Sequence, residues 1–123
     1  MIYDQLYDDF ISLFPEDVAF FRKREQETGV DREDGMTIMF ESVVCPFILK
    51  IAEEDPQKAQ KAFDFVEKME QCEDGDVASV ADVSILEYIM TDERGGMKRL
   101  GKYLGKESLE SVKHMSQYFN IDV

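Results

Sequence analysis

The chain has 123 residues, and 44% of them are hydrophobic, which suits one globular domain with a core of ordinary size. Its 27 acidic side chains outnumber the 14 lysines and arginines, so the formal net charge is -13. This charge disfavours nucleic acid as a direct ligand, because phosphate binding needs a basic surface, and it favours a basic protein partner. The acids are concentrated in residues 1–93, with 24 acids and 8 bases, whereas residues 94–123 hold 3 acids and 6 bases. Acidity that serves only solubility is the simpler alternative, and it stays open.

The N-terminal sequence MIYDQLYDDF carries acids and no basic region, so no signal peptide is predicted. The longest apolar run, residues 43–49, is too short to span a bilayer. Cys45 and Cys72 have no CxxC spacing and are interpreted as free thiols. We therefore expect a cytoplasmic protein that makes no membrane contact.

The first two helices are predicted from apolar residues that recur every three or four positions. Residues 2–14 form the first amphipathic pattern. Pro15 ends that helix and begins a second one, in which Val18 and Phe21 should face inward. Gly29 is a natural end for this second helix, because glycine readily adopts the left-handed backbone of a helix C-terminus.

Two stretches, residues 36–52 and 77–90, are apolar on nearly every side. Helices of this kind must be covered by other helices, so both are predicted to be central and buried. β-Branched residues in the first stretch make a strand the competing interpretation, but its length of about 17 residues favours a helix. Pro46 should kink this helix and leave the carbonyl of Ser42 without its helical donor. The apolar positions on which both predictions rest are Ile38, Met39, Phe40, Val43, Val44, Phe47, Ile48, Ile51, Val77, Val80, Ala81, Val83, Ile85, Leu86, Ile89 and Met90.

The remaining helices are marked by their starts and by single apolar stripes. Asp55 followed by Pro56 predicts a capped helix to about Cys72. A short helix follows near residues 97–104, and the last helix has one apolar face, made of Leu109, Val112, Met115 and Phe119. The short turns predict an all-α, single-domain bundle of about six to seven helices over residues 1–123. HEAT-like helical pairs and an irregular bundle are both compatible with this pattern.

The densest acids lie near the end of the helix that begins at Pro56 and in the turn after it. Positions 67, 70 and 74 are three or four residues apart, so they should share a helical face, where like charges repel by a few tenths of a kcal/mol per pair. A basic partner would remove that repulsion. The predicted partner-binding residues are Glu67, Glu70, Glu73, Asp74 and Asp76, with Asp4 and Asp8 as a second patch. A solvated acidic face relieved by nearby lysines is the alternative.

No residue pattern in the chain specifies a reaction, and no catalytic residue, cofactor or metal ligand is predicted. Asp31, Glu33 and Asp34 before Gly35 suggest a calcium loop, but their spacing does not fit an EF-hand. His114 is the only histidine, so a His-based metal site cannot form, and no local motif supports a Cys–His nucleophile pair.

The segments LFPEDVAFF, ESVVCPFILKIAEED, VSILEYIMTDE and KYLGKESLESVKHM together resemble a family of small, acidic, all-helical bacterial proteins of uncharacterised function. Such proteins look like members of toxin–immunity loci. The resemblance covers nearly the whole chain and implies a helical fold with no catalytic residue. The first hypothesis is therefore an immunity protein or similar inhibitor that covers a basic toxin, for example a nuclease, with its acidic face and so occupies the place of nucleic-acid phosphates.

Two other functions stay open. One is a structural or regulatory helical-repeat adaptor that binds a peptide or a partner helix. The other is an enzyme that uses an acid cluster with a divalent metal. Ionic strength separates the first two hypotheses, because an electrostatic interface weakens steeply with salt and an apolar groove does not.

Overall fold

A computed structural model describes residues 1–92 and 94–119, with the side chain of Phe119 excepted. Over these residues the chain is one all-α domain of seven helices, as the sequence predicts. In chain order they are α1 (3–12), α2 (15–28), α3 (36–54), α4 (Pro56–Glu70), α5 (75–90), α6 (96–103) and α7 (Lys106–Phe119). None of the helices in the described residues combines the length and the apolar character that a membrane span needs.

The centre of the domain is formed by α3 and α5, which pack against each other. Helices α1 and α2 cover one side of α3, while α4 contacts both central helices. Helix α6 packs on α3, α4 and α5, and α7 lies across α4 and α5. Fully buried aromatic rings fill the α1–α3 side, where Phe47 lies 4.7 Å from Phe21 and 4.9 Å from Phe14 between ring centroids.

Both central helices contain a π-helical segment, Phe40–Val44 in α3 and Val80–Leu86 in α5. The first ends two residues before Pro46, whose ring nitrogen cannot donate to the carbonyl of Ser42. That carbonyl instead accepts hydrogen bonds from Arg24, at 3.2 Å from Nε and 2.9 Å from Nη2. A side chain of α2 therefore satisfies a backbone group that the proline leaves available in α3.

Four of the residues predicted to be core are substantially exposed: Val18 (48%), Ile38 (41%), Val83 (46%) and Leu109 (39%). Val83 lies inside the π-helical segment of α5, where the wider turn changes which residues face inward. Ser84 occupies a fully buried position beside it. The prediction that α5 is buried is therefore wrong at Val83, and the other apolar residues on which that prediction rests are buried.

The predicted helix ends are confirmed at two positions. Gly29 ends α2 with φ of 70°, in the left-handed region. Asp55 caps α4, because its carboxylate accepts the backbone N–H groups of Gln57 at 3.1 Å and Lys58 at 3.2 Å.

Candidate partner-binding surface

The predicted acids near the end of α4 do not share one solvated face. Glu67 points at the start of α7, where its carboxylate accepts the backbone N–H groups of Glu107 at 3.0 Å and Ser108 at 2.9 Å. The Ser108 hydroxyl at 2.9 Å and the Gln71 amide at 3.0 Å also donate to it. Burial raises the pKa of Glu67, but these donors outweigh it and hold the pKa below its ordinary value. Glu67 thus caps α7 from another helix.

Glu70 belongs to a carboxyl pair, which we define as Glu70 of α4 and Asp82 of α5. Glu70 Oε2 accepts the Ser111 hydroxyl of α7 at 2.8 Å. Glu70 Oε1 and Asp82 Oδ1 are both buried, and neither finds a donor among the described residues. A proton shared between the two carboxyls would supply the missing donor. Burial, followed by the hydrogen bond to Asp82, raises the pKa of Glu70 to about 8.

The turn between α4 and α5 carries the remaining acids of this group, and all three are exposed. Asp74 caps α5, because its carboxylate accepts the backbone N–H of Asp76 at 2.9 Å. The carboxylates of Glu73 and Asp76 form no hydrogen bond or ion pair with the described part of the chain. Both are therefore available to a partner.

The second predicted patch, Asp4 and Asp8, has one exposed and one engaged member. Asp4 is exposed at the start of α1. Asp8 accepts the Arg32 guanidinium, with 3.0 Å between Arg32 Nε and Asp8 Oδ2. This hydrogen bond is the main reason that the pKa of Asp8 lies below its ordinary value. A partner that used Asp8 would have to compete with Arg32.

A groove between α5 and α7 adds acids that the sequence analysis did not propose. It encloses about 340 Å³ and is lined by Asp82, Glu107, Glu110, Ser111 and His114, among others. Glu110 is exposed at its rim. Glu107 and Glu110 are three residues apart in α7, so their spacing alone predicts that they share a helical face.

The acids of the 31–34 loop have a local structural role. The Asp31 carboxylate accepts the backbone N–H of Glu33 at 2.8 Å, and the Asp34 carboxylate accepts the backbone N–H of Asp31 at 2.9 Å. These bonds form a capping box around a short 3-10 turn. Within the described residues, no group of three or more His, Cys, Asp or Glu side chains is arranged to hold a metal ion.

The two cysteines and the histidine belong to different parts of the fold: α3, the turn after α4, and α7. Cys45 is buried in α3 and donates its S–H to the carbonyl of Ser84 in α5, with 2.8 Å between the heavy atoms. Burial raises the pKa of the Cys45 thiol, so it stays protonated. Cys72 is partly buried and free. His114 is exposed on α7 beside the Tyr118 ring, at 5.5 Å between centroids.

The fold and the surface define a small all-α protein with several exposed acids and a carboxyl pair between its helices. Residues 7–120 match the model of a family described as a domain of unknown function, DUF7674, and the chain belongs to that family. No curated protein and no solved structure matches the chain. The family assignment agrees with the resemblance to an uncharacterised family, and it says nothing about toxins or immunity.

Proposed function

We propose that the protein is a cytoplasmic protein-binding module that masks a basic partner, as an immunity protein masks a nuclease toxin. The observation that supports this most directly is the pair of exposed, unengaged acids at the α4–α5 turn, Glu73 and Asp76. They lie close in sequence to the carboxyl pair, and Asp82 of that pair lines the acidic groove between α5 and α7. Opposite fields on two proteins speed their encounter and fix their orientation, which suits an inhibitor that must act quickly.

The contact residues of this proposal are the exposed acids that do not already cap a helix or belong to the carboxyl pair. We expect the main contacts from three exposed acids, Glu73, Asp76 and Glu110. Asp4, on α1, is a further exposed acid. Glu67 and Asp74 act mainly as helix caps, so their substitution would test the fold as much as the interface. This narrows the five acids predicted near α4 to two that can be changed without removing a cap or the carboxyl pair.

The test combines affinity capture with charge reversal. Tagged protein is exposed to a lysate of its source organism at low salt, and bound proteins are eluted by a salt gradient. With the captured protein, association rates are measured at several ionic strengths for the wild type and for the double variant Glu73→Lys, Asp76→Lys. A matched control, Glu27→Lys with Glu33→Lys, changes net charge equally at exposed sites elsewhere.

We expect a basic protein that salt releases, and an association rate that falls on the order of tenfold in the Glu73/Asp76 variant at low salt. The difference should shrink at high ionic strength because exposed charges are screened. Equal effects of the two double variants would show that only net charge matters and would remove the proposed surface.

The adaptor is the second candidate, and one feature favours it. A shallow groove of about 410 Å³ between α1 and α2 is lined by Ile11, Pro15, Val18 and Phe21, and Val18 is 48% exposed there. An exposed apolar groove suits the apolar face of a peptide or helix. Capture of a neutral protein that resists high salt, and that Val18→Ser releases, would favour this candidate over the first.

A further inference from the structure

A cavity between α2, α3, α5 and α6 has a charge opposite to that of the chain. It measures about 450 Å³, and its lining contains four cations: Arg24, Lys50, Arg94 and Arg99. Among the described residues, Glu53 is the only acid in the lining, whereas four of the chain's 14 basic side chains line this cavity. The chain as a whole has 27 acids against 14 bases, so a surface of its average composition would hold more acids than bases.

Arg24 is held in place by the backbone rather than by a carboxylate. Its Nε and Nη2 atoms donate to the Ser42 carbonyl, which leaves Nη1 available. No carboxylate of the described residues lies within ion-pair distance of Arg24. Its charge is therefore not neutralised locally. The π-helical segment and Pro46 of α3 thus orient a guanidinium at the cavity.

Arg94 and Arg99 share one support, the nearly buried carboxylate of Asp92. Arg99 Nη2 lies 3.4 Å from Asp92 Oδ2, and Arg94 Nε lies 3.6 Å from Asp92 Oδ1. Arg99 also pairs with Glu53. A single carboxylate between two guanidinium groups orients both of them, and it offsets only one of the two charges.

The remaining cation, Lys50, lies 3.2 Å from Glu54. Within the described residues, the four cations of the cavity thus pair with three carboxylates, those of Glu53, Glu54 and Asp92, which leaves one positive charge in excess. The unused N–H donors are planar guanidinium donors, which match the oxygen geometry of phosphates and carboxylates.

The cavity also offers a neutral donor and an apolar wall. Tyr88 is 36% exposed and lines this cavity together with a smaller one beside it. Burial is the main reason that the pKa of Tyr88 lies above its ordinary value, so its hydroxyl keeps the proton it can donate. Pro46 and Leu49 form the apolar part of the lining.

We propose that this cavity binds a small organic anion carrying phosphate or carboxylate groups. Arg24, Arg94 and Arg99 bind the anionic groups, while Tyr88 donates a hydrogen bond and Leu49 contacts the carbon part. The site is separate from the acidic surface, and the two share only helix α5. A test of anion binding here is therefore independent of the test for a protein partner.

The test measures binding of three probes to the full chain by titration calorimetry: inorganic pyrophosphate, citrate and AMP. Chelator is present, and ionic strength is matched with NaCl so that general charge effects cancel. The variant is Arg94→Gln, chosen because the Arg94 side chain is 78% exposed. Lys98→Gln is the control, since it removes the same charge from an exposed position in α6 outside the cavity.

We expect at least one probe to bind with a dissociation constant below about 1 mM, and Arg94→Gln to weaken it at least fivefold, roughly the loss of one charge-assisted hydrogen bond. Lys98→Gln should change it less than twofold. Binding of pyrophosphate without citrate identifies phosphate as the ligand group, the reverse identifies carboxylate, and tighter binding of AMP than of pyrophosphate identifies a ring against Tyr88. No binding of any probe at 10-fold higher concentrations, about 10 mM, overturns the proposal, as do equal losses in the two variants.

Discussion

The carboxyl pair makes a prediction about pH and stability that reverses the usual behaviour of an acidic protein. The pKa of Glu70 is about 8 in the folded protein, against an ordinary value of 4.5. The folded state therefore keeps a proton that the unfolded state releases between these two values. Because the unfolded state binds fewer protons, this group makes stability fall as pH rises from about 4.5 to 8.

The size of the effect follows from the shift and from the exposure of Glu70. Each unit of pKa difference corresponds to about 1.4 kcal/mol. The whole pKa shift would correspond to more than about 4 kcal/mol of unfolding free energy. Because Glu70 is only half-buried and water screens its charge, we expect the free energy of unfolding to fall by about 2 kcal/mol. Glu70→Gln removes the titrating group, keeps the shape, and offers an amide that can donate to Asp82. The variant should be more stable than the wild type at pH 8 by about 1–2 kcal/mol and close to it at pH 5.

Urea unfolding followed by circular dichroism at 222 nm, repeated from pH 5 to pH 8, measures this directly. Glu73→Gln is the matched control, because it makes the same change at an exposed acid three residues away. Asp82→Asn should act like Glu70→Gln, since either change removes the shared proton. Parallel stability curves for the wild type and Glu70→Gln over this pH range would refute the carboxyl pair.

The remaining predictions concern the α7 cap, the thiols and the capping box. A Cβ at Gly105 would lie 2.5 Å from the Glu67 carboxylate, so Gly105→Ala should cost about 1–3 kcal/mol in urea unfolding and far less in a Glu67→Ala background. Equal costs in both backgrounds would contradict this explanation. Ellman's reagent should modify Cys72 in the folded protein and reach Cys45 only after denaturation; rapid reaction of both would disprove the burial of Cys45. Asp31→Ala should cost about 1 kcal/mol by the same urea assay, and a neutral result would refute the capping box.

The helices could be predicted because their signals are local. The stretches 36–52 and 77–90 are apolar in sequence, and their counterparts α3 and α5 form the centre of the fold. Asp55 and Gly29 end helices through contacts with residues two to four positions away. The π-helical segments carry no comparable signal, and they explain why Val83 faces solvent.

The roles of Glu67 and Glu70 could not be predicted, because they depend on residues of other helices: α7, about forty positions away, and Asp82 of α5. Spacing placed Glu67 and Glu70 on one helical face, which is correct for α4, but spacing does not show what covers that face. Helix α7 covers it, and its Ser108 and Ser111 engage the two carboxylates. The pKa values of Glu67 and Glu70 thus shift in opposite directions. At Glu67 several N–H and O–H donors outweigh burial, whereas at Glu70 burial and then the second carboxyl raise the pKa.

These contacts partly explain why charge is distributed unevenly along the chain. The segment after residue 93 holds more bases than acids, and it folds back on the acidic part of the chain. Arg99 pairs with Glu53 of α3, while the N-terminal turn of α7 receives the carboxylate of Glu67. Some of the acids therefore already bind basic side chains or backbone N–H groups of the same chain, and they are not available to a partner. Net charge alone overstates the case for a basic partner, and the exposed acids at Glu73 and Asp76 are where that case can be tested.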